Sequence, residues 1–472
     1  MQPPENETGG WKMKAWLKRG FGFIRRYLSS ETVDFSMVVA LFVPLLVDQI
    51  FISLTSILNS SMISGSGAAA VSAVSTVDIV NQFLVNLFTA VGVGGTVVVA
   101  QYMGQNSPRK AGQGASQAIL SSALISALVA VGMILFCRPL LGLLFGSAEE
   151  EVLRLSARYM IGLCTTYPFF AVYMATSGIL RSLGDARAAM AISLGMNLLY
   201  VLGNFVFVTL LHWSVAGLTY SLLIARVLGS AFCVFYLIRT KPELEIHLRD
   251  FLRLDFRMQK SILYIGVPAA AEQMFFHGGK ILTQTFVVML GTMATAANGI
   301  ANSISSIFYI PGNVFSLCIV TIVGRCVGAG RPEEGRTFTK HLNRVSVIMA
   351  FATTLLMLPF VPLILKGYHQ PELDATVLLL VSICCAGLFT FWPRSFVTAA
   401  GLRAAGDATF TSVASLTTMW VVRVLLGYVL GIVFHLGVAG VWLAMVIEWG
   451  VRAVVFSLRL KGEKWHSHHF LS

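Results

Sequence analysis

Apolar residues run through this chain in long unbroken blocks, not in the one-face or alternating patterns of a soluble core. Crossing a bilayer as a helix takes roughly 20 predominantly apolar residues, and twelve stretches meet that requirement: 34–59, 71–102, 113–136, 157–181, 187–210, 215–238, 260–289, 294–326, 341–365, 376–401, 409–433 and 438–459. Several exceed the minimum, so tilted or kinked helices are expected. The pattern predicts an all-α integral membrane protein with twelve transmembrane helices. Composition agrees, since 56% hydrophobic against 12% charged residues is more apolar than a soluble domain buries.

Charge sets the orientation, because short loops rich in Lys and Arg stay on the cytoplasmic side. Six basic residues, Lys12 to Arg26, precede the first span, whereas the connection 60–70 has none. Arg109 and Lys110 follow span two, and Arg239, Lys241, Arg249, Arg253, Arg257 and Lys260 fill the central link. Both termini are therefore expected in the cytoplasm, in a multi-pass protein of the inner or plasma membrane. The net charge of +12 is dispersed over loops of one side, which fits a membrane and gives no reason to expect nucleic acid. The expected organisation is a basic segment 1–33 with an amphipathic surface helix, a six-helix lobe 34–238, a linker 239–259, a second six-helix lobe 260–460 and a tail 461–472. Seven cysteines, mostly within spans, support neither a disulfide framework nor a metal site.

Within these blocks two acids stand out. LFVPLLVDQIF places Asp48 four residues after Pro44, and IGVPAAAEQMF places Glu272 four residues after Pro268. A charged group in hydrocarbon is costly unless partnered or wetted, so each is a functional candidate, as are the adjoining Gln49 and Gln273. The spacing from Pro44 to Pro268 equals that from Asp48 to Glu272, and the same spacing separates Gly104 from Gly328 and Pro108 from Pro332. At nearly that offset ILRSLGDA at 179–186 pairs with GLRAAGDA at 401–408, and SVAGL at 214–218 resembles GVAGV at 437–441. Duplication explains this: two halves of six spans each enter the membrane in the same sense, related by an axis along its normal.

With GGTVVVAQYMGQ, the two LR-x-x-GD turns and the ending GVAGVWLAMVIEWGVRAVVFSLRLKGEKW, the chain resembles the multidrug and toxin extrusion (MATE) transporters from Pro44 to about Trp465. The resemblance implies a V-shaped pair of pseudo-symmetric six-helix bundles that exports bulky, often cationic, organic compounds in exchange for inward H⁺ or Na⁺. It also implies Asp48 and Glu272 as ion-coupling acids, since the family commonly has an acid or glutamine there. The sequence departs from the family in several places. Asn59 stands where an aspartate is frequent near the outer end of span one, and Tyr200 and Asn204, with Asn197 a turn earlier, occupy the positions of the span-five Asn/Asp pair. Neutral oxygens still coordinate Na⁺, but a carboxylate site at those positions is put in doubt.

Other polar groups within spans complete the candidates. Asp78, Asn81 and Gln82 make the outer end of span two polar, lining a cavity mouth or simply facing water. Lys280, near the middle of span seven, needs an acidic partner or a wet cavity; His277 nearby is more ordinarily a packing residue. Trp392 before Pro393 offers either an aromatic face to an organic cation or packing, with a kink in span ten. Glu448 and Arg452 have the spacing of an intrahelical ion pair. Arg181 with Asp185 and Arg403 with Asp407 mark helix ends, where Gly stops one helix and Asp caps the next.

The expected function is secondary active efflux, carried out by a monomer that binds small organic substrates and needs no cofactor. GVGGTV at 92–97 lacks the lysine of a phosphate-binding loop, and no HExxH or GxSxG is present, so neither ATP-driven transport nor an embedded enzyme is favoured. The alternative is a flippase for lipid-linked sugar precursors on a related design, which Lys280 and Arg423 support and the two acids oppose. The charge asymmetry predicts that a reporter cysteine at residue 213 labels from outside the cell and one at 110 only after permeabilisation; labelling of residue 250 in intact cells would overturn the orientation.

Overall fold

The computed structural model describes residues 28–64, 68–145, 150–246, 250–251, 254–368 and 371–465. The anticipated N-terminal surface helix falls on residues 1–27 and the end of the tail on 466–472, both outside them. The first lobe consists of α1 (Phe35–Ser64), α2 (Ala68–Gly104), α3 (Pro108–Leu135), α4 (Glu150–Ser182), α5 (Ala186–Asn204), extended by a π-helical stretch Phe205–Leu210, and α6 (Ser214–Thr240). The second contains α7 (Phe256–Met289), α8 (Thr292–Phe308), α9 (Ile310–Gly328), α10 (Pro332–Met357), α11 (Asp374–Thr390), α12 (Trp392–Ala404), α13 (Ala408–Thr417), continued by mixed π- and α-helical turns to Val433, and α14 (Gly437–Lys461).

All twelve anticipated spans are helical; two are interrupted, span eight with no sign in the hydropathy pattern and span ten at the kink expected beside Pro393. Span eight divides at Tyr309 into α8 and α9, and span ten at Phe391 into α11 and α12. A proline in the first turn of the second piece, Pro311 or Pro393, lacks the amide hydrogen that would continue the preceding helix. Pro44 and Pro268, by contrast, lie inside continuous helices. Among the described residues eleven helices are long and apolar enough to cross a membrane. The remaining crossing is α7, 34 residues long, where Glu272, Gln273, His277 and Lys280 interrupt the apolar run.

The packed core joins the lobes at one end and divides at the other. One cluster draws on both halves, with Leu41, Val98 and Ile179 beside Ile265, Val314 and Phe338. Two further clusters are confined to single lobes, one around Tyr167 and Leu163 and one around Trp392 and Trp449. This is the V-shaped arrangement, its apex at the end that carries the basic loops.

The apex is built from small residues that bring backbones into contact, the device by which membrane helices associate without a hydrophobic drive. A Cβ on Gly104 would stand 2.3 Å from the Arg325 carbonyl oxygen, and one on Gly328 would stand 2.0 Å from that of Gln101. Across the same contact Gln101 Nε2 donates to the Ala404 carbonyl at 2.8 Å, and Arg325 Nη2 donates to the Ser182 carbonyl at 2.8 Å. The two bonds are symmetry mates. Gln101 and Arg325 are separated by the same offset as the two proline–acid motifs, and Ser182 and Ala404 by that of the two LR-x-x-GD turns. Beside them Gln259 Nε2 of α7 donates to Gln117 Oε1 of α3 at 2.9 Å, and Phe42 stacks on Phe315 at 4.6 Å.

Candidate functional site

The proline–acid motif and the LR-x-x-GD turn prove to be two parts of one arrangement. Glu272 is buried on α7, where its Oε2 accepts from Arg403 Nη1 at 3.1 Å and from Ser412 at 3.3 Å. Arg452 Nη2 lies 3.8 Å from Oε1, donates to Ser415 at 3.1 Å, and holds Glu448 through Nη1 at 3.1 Å. The anticipated Glu448–Arg452 pair is therefore present, extended to Glu272. In the first lobe the equivalent Asp48 is also buried, with Ser193 and Arg181 as the groups acting on its carboxyl. Arg181 and Arg403 are equivalent positions of the two turns, and Ser193 and Ser415 follow them at equal distances along the chain. The lobes differ in how tightly the set closes. Glu272 is ion-paired directly, whereas Asp48 Oδ1 is buried with no hydrogen-bond partner.

The aspartates of the same turns diverge too. Asp185 caps α5 by accepting from Ala188 N, and pairs with Lys241 at 3.3 Å. Asp407 makes no capping bond and instead takes Arg459 in a two-point contact at 2.6 and 3.1 Å.

Nearer the open end, each lobe contains a polar cavity. In the first lobe it has a volume of about 310 Å³, and Asn59, Asp78, Asn197 and Tyr200 all stand on its wall. Asn204 is buried behind them and donates to Asn59 Oδ1 at 2.8 Å. Ile52, one turn after Asp48 on α1, also lines it. Sequence reasoning gave no role here to Arg226, whose Nη1 donates to Thr166 at 2.6 Å while its guanidinium covers the Phe170 ring at 4.3 Å. An arginine inside a span was the available signal.

The second lobe's cavity, about 260 Å³, is lined by Lys280, Gln284, Asn298, Asn302, Arg423 and Trp442, among others. Asn302 and Thr283 on its wall are the duplicates, at the offset of the proline–acid motifs, of Asp78 and Asn59. Of the two environments anticipated for Lys280, a cavity is found and not an acidic partner. Its Nζ stands 5.3 Å from the Phe276 ring centre, and among the described residues no carboxylate lines the space. His277 meets Phe276 edge-on, and Gln49 and Gln273 are half-buried away from both cavities. Trp392 is buried, stacked on Phe396 at 4.6 Å and on Tyr309 at 5.8 Å. It packs the break between α11 and α12 and is not among the residues lining either polar cavity.

Comparison with known proteins places these features in a lineage. The MatE family model matches residues 44–206 and 268–429, starting in each half at the proline of the proline–acid motif. The chain is 25% identical over 415 residues to the Bacillus subtilis "Uncharacterized transporter YisQ", covering 86% of this chain and 90% of the relative. It is 24% identical to the "Probable multidrug resistance protein NorM" of Thermotoga maritima, covering 81% and 82%. Its fold matches a solved structure described as the outward-facing conformation of a multidrug resistance MATE family transporter, with a TM-score of 0.81 at 22% identity, over 90% of this chain and 95% of the other.

Breaking a buried ion pair by removing one partner strands the other charge, while removing both is much less harmful. Arg403→Leu is accordingly expected to destabilise the purified protein by about 3 kcal/mol, and Glu272→Leu/Arg403→Leu to recover part of that loss. Thermal melting of the two variants checks this. A double variant that melts below Arg403→Leu contradicts the pairing.

Proposed function

The chain belongs to the MatE family of membrane transporters, and from that premise we propose that it exports organic compounds across the cytoplasmic membrane by antiport with H⁺ or Na⁺. The observation that carries this reading is the seal at one end of the V combined with a polar cavity in each lobe beyond it. Basic loops belong in the cytoplasm, so a seal on their side leaves the cavities facing outward. In an exporter this is the state that releases substrate and admits the coupling ion.

Two carboxylates are suited to that ion, and they differ in readiness. A coupling acid must be charged at one stage and neutralised at another, which requires that its partners not already satisfy it. Asp48 has an unpartnered oxygen one turn from the first lobe's cavity, and Asp78 stands on the cavity wall. Asn59, Asn197, Tyr200 and Asn204 supply neutral oxygens suited to Na⁺. Glu272 is held by Arg403 and Arg452, so its release requires that those contacts open during the cycle. The coupling role is therefore assigned first to Asp48, with Glu272 responding to movement of its own lobe. The cationic cavity of the second lobe favours a second reading, a flippase for lipid-linked sugar precursors, whose phosphates would seek such a surface.

The experiment is uptake of an organic-cation panel into inside-out proteoliposomes, with pH and Na⁺ gradients imposed separately. Wild type is expected to respond to one gradient. Asp48→Asn should express normally and lose at least tenfold of the gradient-driven rate, and Glu272→Gln should lose rate together with stability. Wild-type rates in the Asp48→Asn/Glu272→Gln variant would sink the coupling assignment.

A further inference from the structure

The two lobes repeat one design, but the charges in their cavities do not repeat. In the first, Asp78 and Arg226 share the wall, so a positive and a negative group offset each other. In the second, Asn302 replaces the acid, and Lys280 and Arg423 both face the space. The interior acids of that lobe are engaged elsewhere, Glu272 with Arg403 and Arg452, and Glu448 with Arg452. Among the described residues of this interior, the cations Lys280, Arg403, Arg423 and Arg452 thus outnumber the carboxylates Glu272 and Glu448. Glu448 lies in the field of Arg423 without forming a close ion pair with it.

The described cavity wall leaves these two cations as its free charged donors. Trp442 Nε1 donates to Asn298 Oδ1 at 2.8 Å, Asn298 Nδ2 to Gln284 Oε1 at 2.9 Å, and Asn302 Nδ2 to the Asn298 carbonyl at 2.8 Å. These groups bond to one another along the wall. Arg423 Nε, by contrast, is buried without a hydrogen-bond partner. Lys280 retains open surface although it lies mid-helix, as expected of a group facing an internal space. Both reach over one ring: the Phe276 centre is 5.3 Å from Lys280 Nζ and 6.0 Å from the Arg423 guanidinium carbon. Arg423 rides on a π-helical stretch, Thr418–Val424, a local geometry frequent at functional sites.

We infer that the second lobe's cavity is a binding site for the anionic group of a small organic molecule, a carboxylate received between Lys280 and Arg423. A guanidinium matches a carboxylate in two-point geometry and an ammonium adds a point charge. Trp442 and Met445 provide apolar surface for the remainder of the molecule, and about 260 Å³ accommodates a small aromatic acid. Taken with the transport reading, on which this consequence rests, Lys280 and Arg423 are the contacts for the acid group of a transported molecule.

Benzoate, benzamide and benzamidine have nearly one shape and three charges, which makes them the probes. Their affinities for the full chain in phosphatidylcholine nanodiscs are to be measured by calorimetry, with melting temperature monitored for every variant. Benzoate should bind at least tenfold more tightly than the other two. Lys280→Met and Arg423→Met should each weaken it tenfold or more while melting near wild type, and Lys280→Arg should retain it. Benzamidine binding as tightly as benzoate, or benzoate affinity unchanged in both Met variants, overturns the inference. Loss of benzoate binding when phosphatidylglycerol replaces a third of the lipid assigns the site to a lipid headgroup and overturns the soluble ligand. Organic-cation exchange by the same preparation separates the two claims. Exchange without benzoate binding removes only the anion site, and benzoate binding without exchange removes only the transport reading.

Discussion

Everything in this fold depends on the close approach of α2 and α9 at the end of the molecule bearing the basic loops. Gly104 and Gly328 leave no room for a Cβ, so the Gln101 and Arg325 carbonyls touch the opposing helix. That proximity lets Gln101 and Arg325 donate across the interface to carbonyls at the ends of α12 and α4. An arginine donor in a membrane protein is stable here because its charge is directed at a backbone oxygen inside a packed contact. Where the lobes part, each retains a core of its own, and the cavities lie in that parted region.

Duplication accounts for the reciprocity of the seal, and divergence accounts for the chemistry above it. Both lobes keep an acid one turn after a proline, an arginine from the LR-x-x-GD turn and a serine beside them. In the second lobe Arg452 and Glu448 are added, and the acid is locked into an ion pair. In the first lobe no such addition occurs among the described residues, and an oxygen of Asp48 stays without a partner. The cavities have diverged in the same sense, with an acid retained in one and two cations in the other. A pseudo-symmetric pair of lobes thus presents two unlike surfaces to whatever occupies the cleft.

Much of this was legible in the sequence because membrane helices write their positions in hydropathy and duplication writes symmetry in spacing. The twelve spans, the nearly constant offset between the halves and the two acids needed nothing else. Asp78 drew notice by its polarity and Asn59, Asn197 and Tyr200 through the family resemblance, but their meeting on one cavity wall was not legible. Contacts between distant residues were not legible. Glu272 and Arg403 are 131 residues apart, and the arginine's place beside a glycine turn gave it the look of a helix terminus. The break at Tyr309 was hidden within a continuous apolar run, although Pro311 marks it, whereas the one at Phe391 falls where Pro393 announced a kink. Trp392 takes the packing role held open for it, since an aromatic beside a helix break fills the gap that the break creates.

The central claim is that the reciprocal seal between α2 and α9 holds the basic-loop end closed and, with it, the opposite end open. It is tested most directly by electron–electron distance measurements on two spin-labelled pairs related by the duplication. One pair is Arg109 with Glu333 at the sealed end, and the other is Gln82 with Ser306 at the open end. In wild type the first distance should be short and narrowly distributed, and the second long. Gly328→Leu, which drives a side chain into the Gln101 carbonyl, should lengthen the first and shorten the second. Lengthening of the first with no matching change in the second, or no change in either, would contradict the account.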